Sequence, residues 1–287
     1  MVSVLAPHLP DDIDPGWIGL LDARMSGWYA RETDELFRGF RISAQDNVLD
    51  VGCGDGVSAL FCGERGAHVT CVDIDENTIS GIRARLQEQG TARGIEAFVS
   101  DSDPMPVADG YASRVICQEV LEHVADPARV IAELVRAGQP GALYLLTVPG
   151  ERSEKIQQAF APPDYFEHPN HIRIFSKDDF VALAESAGLE VLDYAGNGFF
   201  LTFWACMHWA IVAAQARSND GDYAAAQPPF APPYDDSLRD WANLWNRLIS
   251  TPEGKALKRE MDGLLPKSQL ILARKSQPAD SDSSHKV

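Results

Sequence analysis

Short apolar runs alternate with helix-like stretches over the middle of this chain, beginning at Asn47. Five runs of strand length, each bounded by turn or polar residues, lie at 47–52, 68–74, 95–101, 112–118 and 142–148. Stretches with helical spacing separate most of them, near 56–65, 76–89 and 127–138. Apolar strands that alternate with helices of this length are typical of βαβ units. The pattern therefore predicts an α/β fold whose parallel sheet is covered by helices on both faces.

The same pattern continues with a helix near 176–187 and a strand at 189–194, but the next strand comes only at 268–273. The residues between these two strands are rich in apolar and aromatic positions at helical spacing, which predicts a helical insertion. We expect four segments: an N-terminal helical cap, a core in two pieces, the insertion and a disordered polar tail. Their predicted bounds are 1–45, 46–196 with 267–275, 197–266 and 276–287.

Two apolar regions lie outside the alternating pattern. Residues 16–40 carry apolar positions at roughly helical spacing, which predicts one or two leading helices. Residues 199–214 (FFLTFWACMHWAIVAA) are apolar nearly all round, but are shorter than the ~20 residues that span a bilayer. We expect a buried helix there rather than a membrane span. A wall of a hydrophobic pocket, an interfacial surface and a homodimer contact through 199–249 stay open, and the proline-rich 227–233 is expected to be a linker or lid edge.

The net charge of −17 limits the kinds of molecule that the protein is expected to bind. Binding to nucleic acid or to an anionic membrane needs clustered Lys and Arg, so neither is expected. The five cysteines form no C-x-x-C pair, and their number is odd. Neither a disulfide framework nor a zinc site is predicted, and no basic and apolar leader opens the chain. We therefore expect a cytoplasmic protein.

The stretch VLDVGCGDG (48–56) places three glycines in five residues directly after the first strand. A glycine-rich turn from a strand into a helix lets a ligand approach backbone N–H groups. The spacing is G-x-G-x-G, and Val57 stands where the dinucleotide fingerprint has its third glycine. Asp73 ends the second strand and could accept hydrogen bonds from ribose hydroxyls. These features suit NAD and S-adenosylmethionine equally well.

Polar residues also close the third and fourth strands. Asp101 and Ser102 follow one, and the stretch QEVLEH (118–123) follows the other. Ligands of open parallel sheets bind beyond the carboxyl ends of the strands. The glycine turn, Asp73 and these two stretches all fall at such ends. A ligand site at this edge of the sheet is therefore predicted.

The chain resembles the class I S-adenosylmethionine-dependent methyltransferases, in particular the branch of ubiquinone and menaquinone biosynthesis. The resemblance rests on four stretches in order: VLDVGCGDG (48–56), VDID (72–75), SD (100–101) and EVLEH (119–123). It implies a Rossmann-like, mostly parallel sheet of seven strands, with the last strand beside the fifth. The chain departs from the family pattern at two places. It has Ser100 and Ser102 around Asp101, and it has Ser113 and Arg114 before the fourth strand.

The resemblance also implies S-adenosylmethionine as the cofactor. Gly52 and Gly54 would contact its methionyl part, Asp73 its ribose, and Ile74, Asp101 and Ser102 its adenine. The full set of expected cofactor-binding residues is Asp50, Gly52, Gly54, Asp73, Ile74, Asp101, Ser102 and Glu119.

Methyl transfer to a hydroxyl or an acidic carbon can require a general base, and histidine suits that role near neutral pH. Candidates are His123, just after the fourth strand, and His168 and His171, after the fifth. The H-x-x-H spacing of the last two falls in a loop rather than on a helix, so metal binding is not predicted there. Glu119, Glu122 and His123 match a pattern that some ubiquinone O-methyltransferases use for a divalent metal, but no metal is assigned.

Several functions stay open. The favoured one is methyl transfer to oxygen or carbon of a small molecule, expected to be bulky or hydrophobic. A catalytically silent S-adenosylmethionine-binding module is an alternative, as is a protein methyltransferase. A nicotinamide-dependent oxidoreductase is less favoured, because the third glycine of its fingerprint is absent.

Overall fold

The structure is a computed structural model that describes residues 14–218 and 229–277. Contacts divide the chain into two compact units. Unit 1 comprises Met1–Trp28, Val148–Ser176 and Ala195–Leu270. Unit 2 comprises Tyr29–Thr147, Lys177–Tyr194 and Ile271–Val287. The predicted tail falls largely outside the described residues, as does the start of the predicted linker at 227–233.

Seven strands form one sheet, and this fold class was predicted correctly. In chain order they are β4 (Asn47–Val51), β5 (His68–Asp73), β6 (Gly94–Val99), β7 (Ala112–Gln118), β8 (Gly138–Pro149), β9 (Leu189–Asn197) and β10 (Ser268–Lys275). Their order across the sheet is β6-β5-β4-β7-β8-β10-β9. The last strand in the chain therefore lies beside the fifth strand of the sheet, as the family resemblance implied.

Parallel pairing brings the carboxyl ends of neighbouring strands to one edge. Strand β4 pairs in parallel with both β5 and β7, β5 pairs with β6, and β7 pairs with β8. The central strands β4 and β5 are buried along most of their length and are mainly apolar, as in parallel sheets that are covered on both faces. The helices between these strands are α2 (Val57–Glu64), α3 (Glu76–Gln89), α4 (Pro127–Ala137) and α6 (Lys177–Ser186).

The leading region differs from its prediction. Helix α1 covers only Pro15–Met25, and Gly27, with φ of 105°, follows its end. Three short strands then form a second sheet: β1 (Trp28–Ala30), β2 (Glu35–Phe37) and β3 (Phe40–Arg41). The helical prediction for residues 28–40 was wrong, because a two-residue turn pairs Phe37 with Phe40 across antiparallel strands. Both rings are buried, and their separation by three residues resembled a helical repeat.

Beyond α1, unit 1 contains α5 (Glu151–Gln157), a 3-10 turn (Pro163–Phe166), α7 (Phe199–Ser218), α8 (Asp236–Ile249) and α9 (Pro252–Leu264). Side chains from α1, α7 and α8 form its aromatic core, including Phe199, Phe200 and Trp245. The helical character of the insertion was predicted correctly. Helix α7 has 20 residues rather than the 16 of the apolar run. By length and composition α7 is long and apolar enough to cross a membrane, and 44% of its most apolar window is buried inside the protein.

A buried network around one lysine joins three helices of unit 1. Lys258 Nζ donates to Asp22 Oδ2 at 3.1 Å, to Asp262 Oδ2 at 2.6 Å and to Ser26 Oγ at 2.7 Å. These three bonds use every N–H of the ammonium group. Asp262 Oδ1 also accepts from the backbone N–H of Phe199 at 2.9 Å, which satisfies a donor at the start of α7. This network fixes how α1, α7 and α9 pack.

Candidate active site

The three glycines of the turn between β4 and α2 serve different purposes. All have positive φ: 67° at Gly52, 47° at Gly54 and 70° at Gly56. A Cβ on Gly52 would overlap the side chain of Val120, and one on Gly56 would overlap Ile82. A Cβ on Gly54 would meet only a backbone oxygen at 4.0 Å, that of Gly52. Packing therefore requires two of the glycines, whereas the third borders open space where a ligand can approach.

Asp73 ties this turn to the end of β5. Its Oδ2 accepts from the N–H of Gly54 at 3.1 Å, and its Oδ1 accepts from the N–H of Asp75 at 3.0 Å. Asp75 in turn caps α3 by accepting from the N–H of Thr78 at 2.7 Å. The Asp73 carboxylate is thus held in one orientation, and each of its oxygens keeps a further lone pair for a ligand.

Asp50, in β4, is a buried carboxyl group with an unsatisfied oxygen. The residue is 2% exposed, and its Oδ2 has no hydrogen-bond partner within the part of the chain that the structure describes. Burial, together with the negative charge of Asp73, raises the pKa of Asp50 to about 7. A cationic ligand would favour the ionised form of this group and would satisfy its unpaired oxygen.

The residues after β6 and β7 complete the edge. Asp101 lies exposed and accepts from the N–H of Asp103 at 3.0 Å, whereas Ser102 is buried with φ of 66°. Ile74, after β5, is 74% exposed. Glu119 has φ of 53°, and its Oε1 accepts from the hydroxyl of Thr147 at 2.9 Å. Positive φ at two non-glycine residues is unusual and marks the strained backbone that functional sites often hold.

Two residues at this edge were missed by the sequence analysis. Burial raises the pKa of Tyr29 to about 12, and the interaction of its hydroxyl with Ser58 opposes that rise. Ser58 Oγ donates to Gln118 Oε1 at 2.6 Å, so the pair connects the first turn of α2 to the end of β7. Tyr29 lies in the segment whose helical prediction was wrong, and no motif marked Ser58.

The candidate histidines have different settings. In unit 2, His123 Nε2 lies 3.7 Å from Oε1 of the fully buried Glu122. In unit 1, His171 Nδ1 lies only 2.6 Å from Oε2 of Glu154, which is also buried. His168 is exposed. The H-x-x-H spacing therefore separates an exposed imidazole from one that a carboxylate holds.

The pair formed by Glu154 and His171 has aromatic surroundings. Gln157 Nε2 donates to Glu154 Oε1 at 3.3 Å, which steadies the carboxylate. The ring of Tyr165 lies 5.0 Å from the His171 ring and 5.0 Å from the Trp209 ring. Sequence reasoning missed Glu154, because it lies on α5, a short helix that was not predicted.

Comparison with known proteins decides the family. Residues 21–194, more than half of the chain, match the family model described as a methyltransferase domain. The chain belongs to this methyltransferase family. It is an S-adenosylmethionine-dependent methyltransferase, and S-adenosylmethionine is its cofactor. The match ends at the predicted insertion, so α7, α8 and α9 lie outside it.

Curated relatives include ubiquinone biosynthesis O-methyltransferases. The protein of Pseudomonas aeruginosa (strain UCBPP-PA14) is 32% identical over 161 residues, covering 53% of this chain and 68% of the relative. That of Aeromonas salmonicida (strain A449) is 26% identical over 155 residues, covering 52% of this chain and 65% of the relative. The chain thus spans about two thirds of the length of these relatives.

Solved structures share the fold. The crystal structure of the [4+2]-cyclase SpnF aligns with a TM-score of 0.52 at 16% identity, covering 96% of this chain and 88% of that one. At this identity the likeness concerns the fold alone. The substrate therefore has to be argued from the side chains of this chain.

Proposed function

We propose that this methyltransferase methylates a hydroxyl oxygen of an apolar small molecule, and that His171 takes the proton from that hydroxyl. The observation that carries the proposal is the short contact of 2.6 Å between His171 Nδ1 and the buried Glu154 carboxylate. The relatives named as O-methyltransferases support oxygen over carbon as the acceptor atom.

Residues of unit 2 would hold the cofactor. When bound, S-adenosylmethionine supplies a methyl carbon on a sulfonium, which is open to in-line displacement. The open space at Gly54 suits close approach of the methionyl part to the backbone of Gly52 and Gly54. The oriented carboxylate of Asp73 suits the ribose hydroxyls. The exposed Ile74 offers apolar surface to the adenine, with Asp101 and Ser102 as polar partners at its edge.

Asp50 and Glu119 would complete the cofactor set. The unsatisfied Oδ2 of Asp50 suits a positively charged group, and this cofactor carries both an ammonium and a sulfonium. Glu119 is fixed by Thr147 at the adjacent strand end. Both carboxyl groups favour a cationic ligand over an anionic one, which fits S-adenosylmethionine better than a dinucleotide pyrophosphate.

His171 is favoured as the base over the other two histidines. Because the buried Glu154 carboxylate holds Nδ1, the imidazole of His171 has a fixed orientation, which favours it as a general base. The Glu154 carboxylate would stabilise the imidazolium that forms when His171 takes the proton. The longer separation of 3.7 Å at His123 supports a weaker orientation, and the exposure of His168 supports no role in a dry site.

The surroundings of His171 support an apolar acceptor. The rings of Tyr165 and Phe166 lie 5.0 Å and 6.3 Å from the His171 ring. Aromatic walls of this kind bind flat or hydrophobic molecules and exclude water. An acceptor with a hydroxyl on an aromatic or lipid-like frame is therefore expected.

A screen of phenolic, quinol, lipid and sugar acceptors with radiolabelled S-adenosylmethionine tests the proposal. The expected result is methylation of apolar hydroxyl compounds by the natural chain and a loss of turnover in His171→Gln. Methylation of these compounds at carbon rather than at the hydroxyl oxygen, or full turnover by His171→Gln, would refute it.

A further inference from the structure

Trp209 is a buried tryptophan whose N–H group has no partner. The residue is 4% exposed, and Nε1 makes no hydrogen bond within residues 14–218 and 229–277. Other indoles of unit 1 are satisfied: Trp204 donates to Pro229 O at 2.7 Å, Trp241 to Phe200 O at 3.1 Å and Trp245 to Asp22 Oδ1 at 2.7 Å. Leaving a donor unpaired in the interior is unfavourable, so this N–H group requires an explanation.

The position of Trp209 relates it to the proposed base. Its ring is 5.0 Å from that of Tyr165, which also lies 5.0 Å from the ring of His171. Cys206 lies one helical turn earlier on α7, and burial together with the charge of Glu154 raises its pKa to about 11. Cys206 and Trp209 thus lie on one face of α7, and α5, the helix that carries Glu154, packs against α7.

We propose that Trp209 is a specificity-determining residue whose indole N–H donates to a second oxygen of the acceptor. This inference rests on the proposed function. The partner atom has to be an acceptor of hydrogen bonds, because an indole N–H can only donate. The methyl acceptor is thus an apolar hydroxyl compound that also carries a carbonyl or ether oxygen. His171 and Trp209 would bind its two oxygens, and the ring of Tyr165 lies between these two side chains.

The chemistry separates the roles of the two residues. His171 takes a proton from the reacting hydroxyl, whereas Trp209 transfers no proton and only orients the molecule. Removing the indole N–H should therefore weaken binding of acceptors that have the second oxygen and leave the others unaffected. A site that hydrogen-bonds a substrate atom rejects the analogue lacking it, because its own polar group stays unpaired.

Indole NMR of the full chain labelled with ¹⁵N-tryptophan tests this directly. The probes are 4-hydroxyacetophenone and 4-ethylphenol, which have similar shapes and differ by a carbonyl oxygen. Trp209→Phe identifies the Trp209 signal by its loss. The expected result is that only the ketone moves that signal downfield in the natural chain, and that Trp209→Phe binds the ketone about tenfold more weakly but binds 4-ethylphenol equally well.

Trp241→Phe is the matched control, because it removes an indole N–H that already has a backbone partner. It should leave the preference between the two probes unchanged. Equal shifts of the Trp209 signal with both probes, or no binding of the ketone, would overturn the assignment. Failure of the proposed function would instead appear as full turnover in His171→Gln, which this binding experiment does not measure.

Discussion

The two units bring their functional side chains together in different ways. In unit 2, the polar residues follow strand ends that lie next to one another, so the register of parallel pairing brings them to one edge. In unit 1, His171 meets a carboxylate 17 residues away on a short helix, and both belong to irregular or aromatic surroundings. The histidine pairs show the contrast: adjacent residues in unit 2 are 3.7 Å apart, whereas the distant pair in unit 1 is 2.6 Å apart. Backbone topology alone thus assembles the first kind of site, whereas the second depends on tertiary packing.

The largest expected effect separates the two histidine pairs. His171→Gln should lower kcat by about 10²- to 10⁴-fold, because general base catalysis typically contributes this much. Its affinity for S-adenosylmethionine should stay within about twofold. Steady-state kinetics on the identified acceptor measure the first quantity, and calorimetry measures the second.

His123→Gln should lower kcat less than His171→Gln does, since its carboxylate contact is longer. A larger loss in His123→Gln would reverse the roles of the two pairs. Unchanged turnover in both variants would show that neither histidine acts as a general base.

The buried network of unit 1 should dominate its stability. Lys258→Met leaves Asp22 and Asp262 buried without their cation, so the free energy of unfolding should fall by about 3–5 kcal/mol. Lys255→Met, on the exposed side of the same helix, is the control and should stay within about 0.5 kcal/mol. Urea denaturation measures both, and equal values would show that the network contributes nothing.

The glycine turn of unit 2 should respond differently at two positions. Gly56→Ala should lower the free energy of unfolding by about 2–4 kcal/mol, because Cβ would overlap Ile82 in a left-handed backbone. Gly54→Ala should lower the free energy of unfolding only by the backbone strain of about 1–2 kcal/mol. It should weaken cofactor binding more than Gly56→Ala does. Thermal unfolding and calorimetry distinguish the two. If both variants bound cofactor equally, the open space at Gly54 would not serve a ligand.

Asp50 should make the stability of the free protein depend on pH. Its pKa is about 7 when folded and ~3.9 when unfolded, so the folded chain binds more protons between these values. Stability of the natural chain should therefore fall as pH rises from about 4 to 7 and then level off. Asp50→Asn lacks this loss, and its advantage should grow by about 2–3 kcal/mol between pH 5 and pH 8. Parallel pH profiles of unfolding would contradict the burial argument.

Sequence reasoning predicted the sheet and its edge well for a physical reason. Apolar strands and the glycine turn are local patterns, and β7 and α3 were predicted with the bounds that the structure has. It failed for residues 28–40, where a turn at Gly39 gave paired strand residues the spacing of a helix. It also missed Glu154 and Tyr29. Their partners come from other segments of the chain, and no local sequence pattern predicts such contacts.

Calorimetric titration of S-adenosylmethionine into the full chain and into the Asp73→Ala and His171→Gln variants tests the central claim most directly. The account predicts that His171→Gln binds like the natural chain, whereas Asp73→Ala binds about 30- to 100-fold more weakly, since it loses a charged group that hydrogen-bonds the ligand. Natural affinity in Asp73→Ala, or an equal loss in both variants, would contradict the assignment of cofactor binding to the strand ends of unit 2.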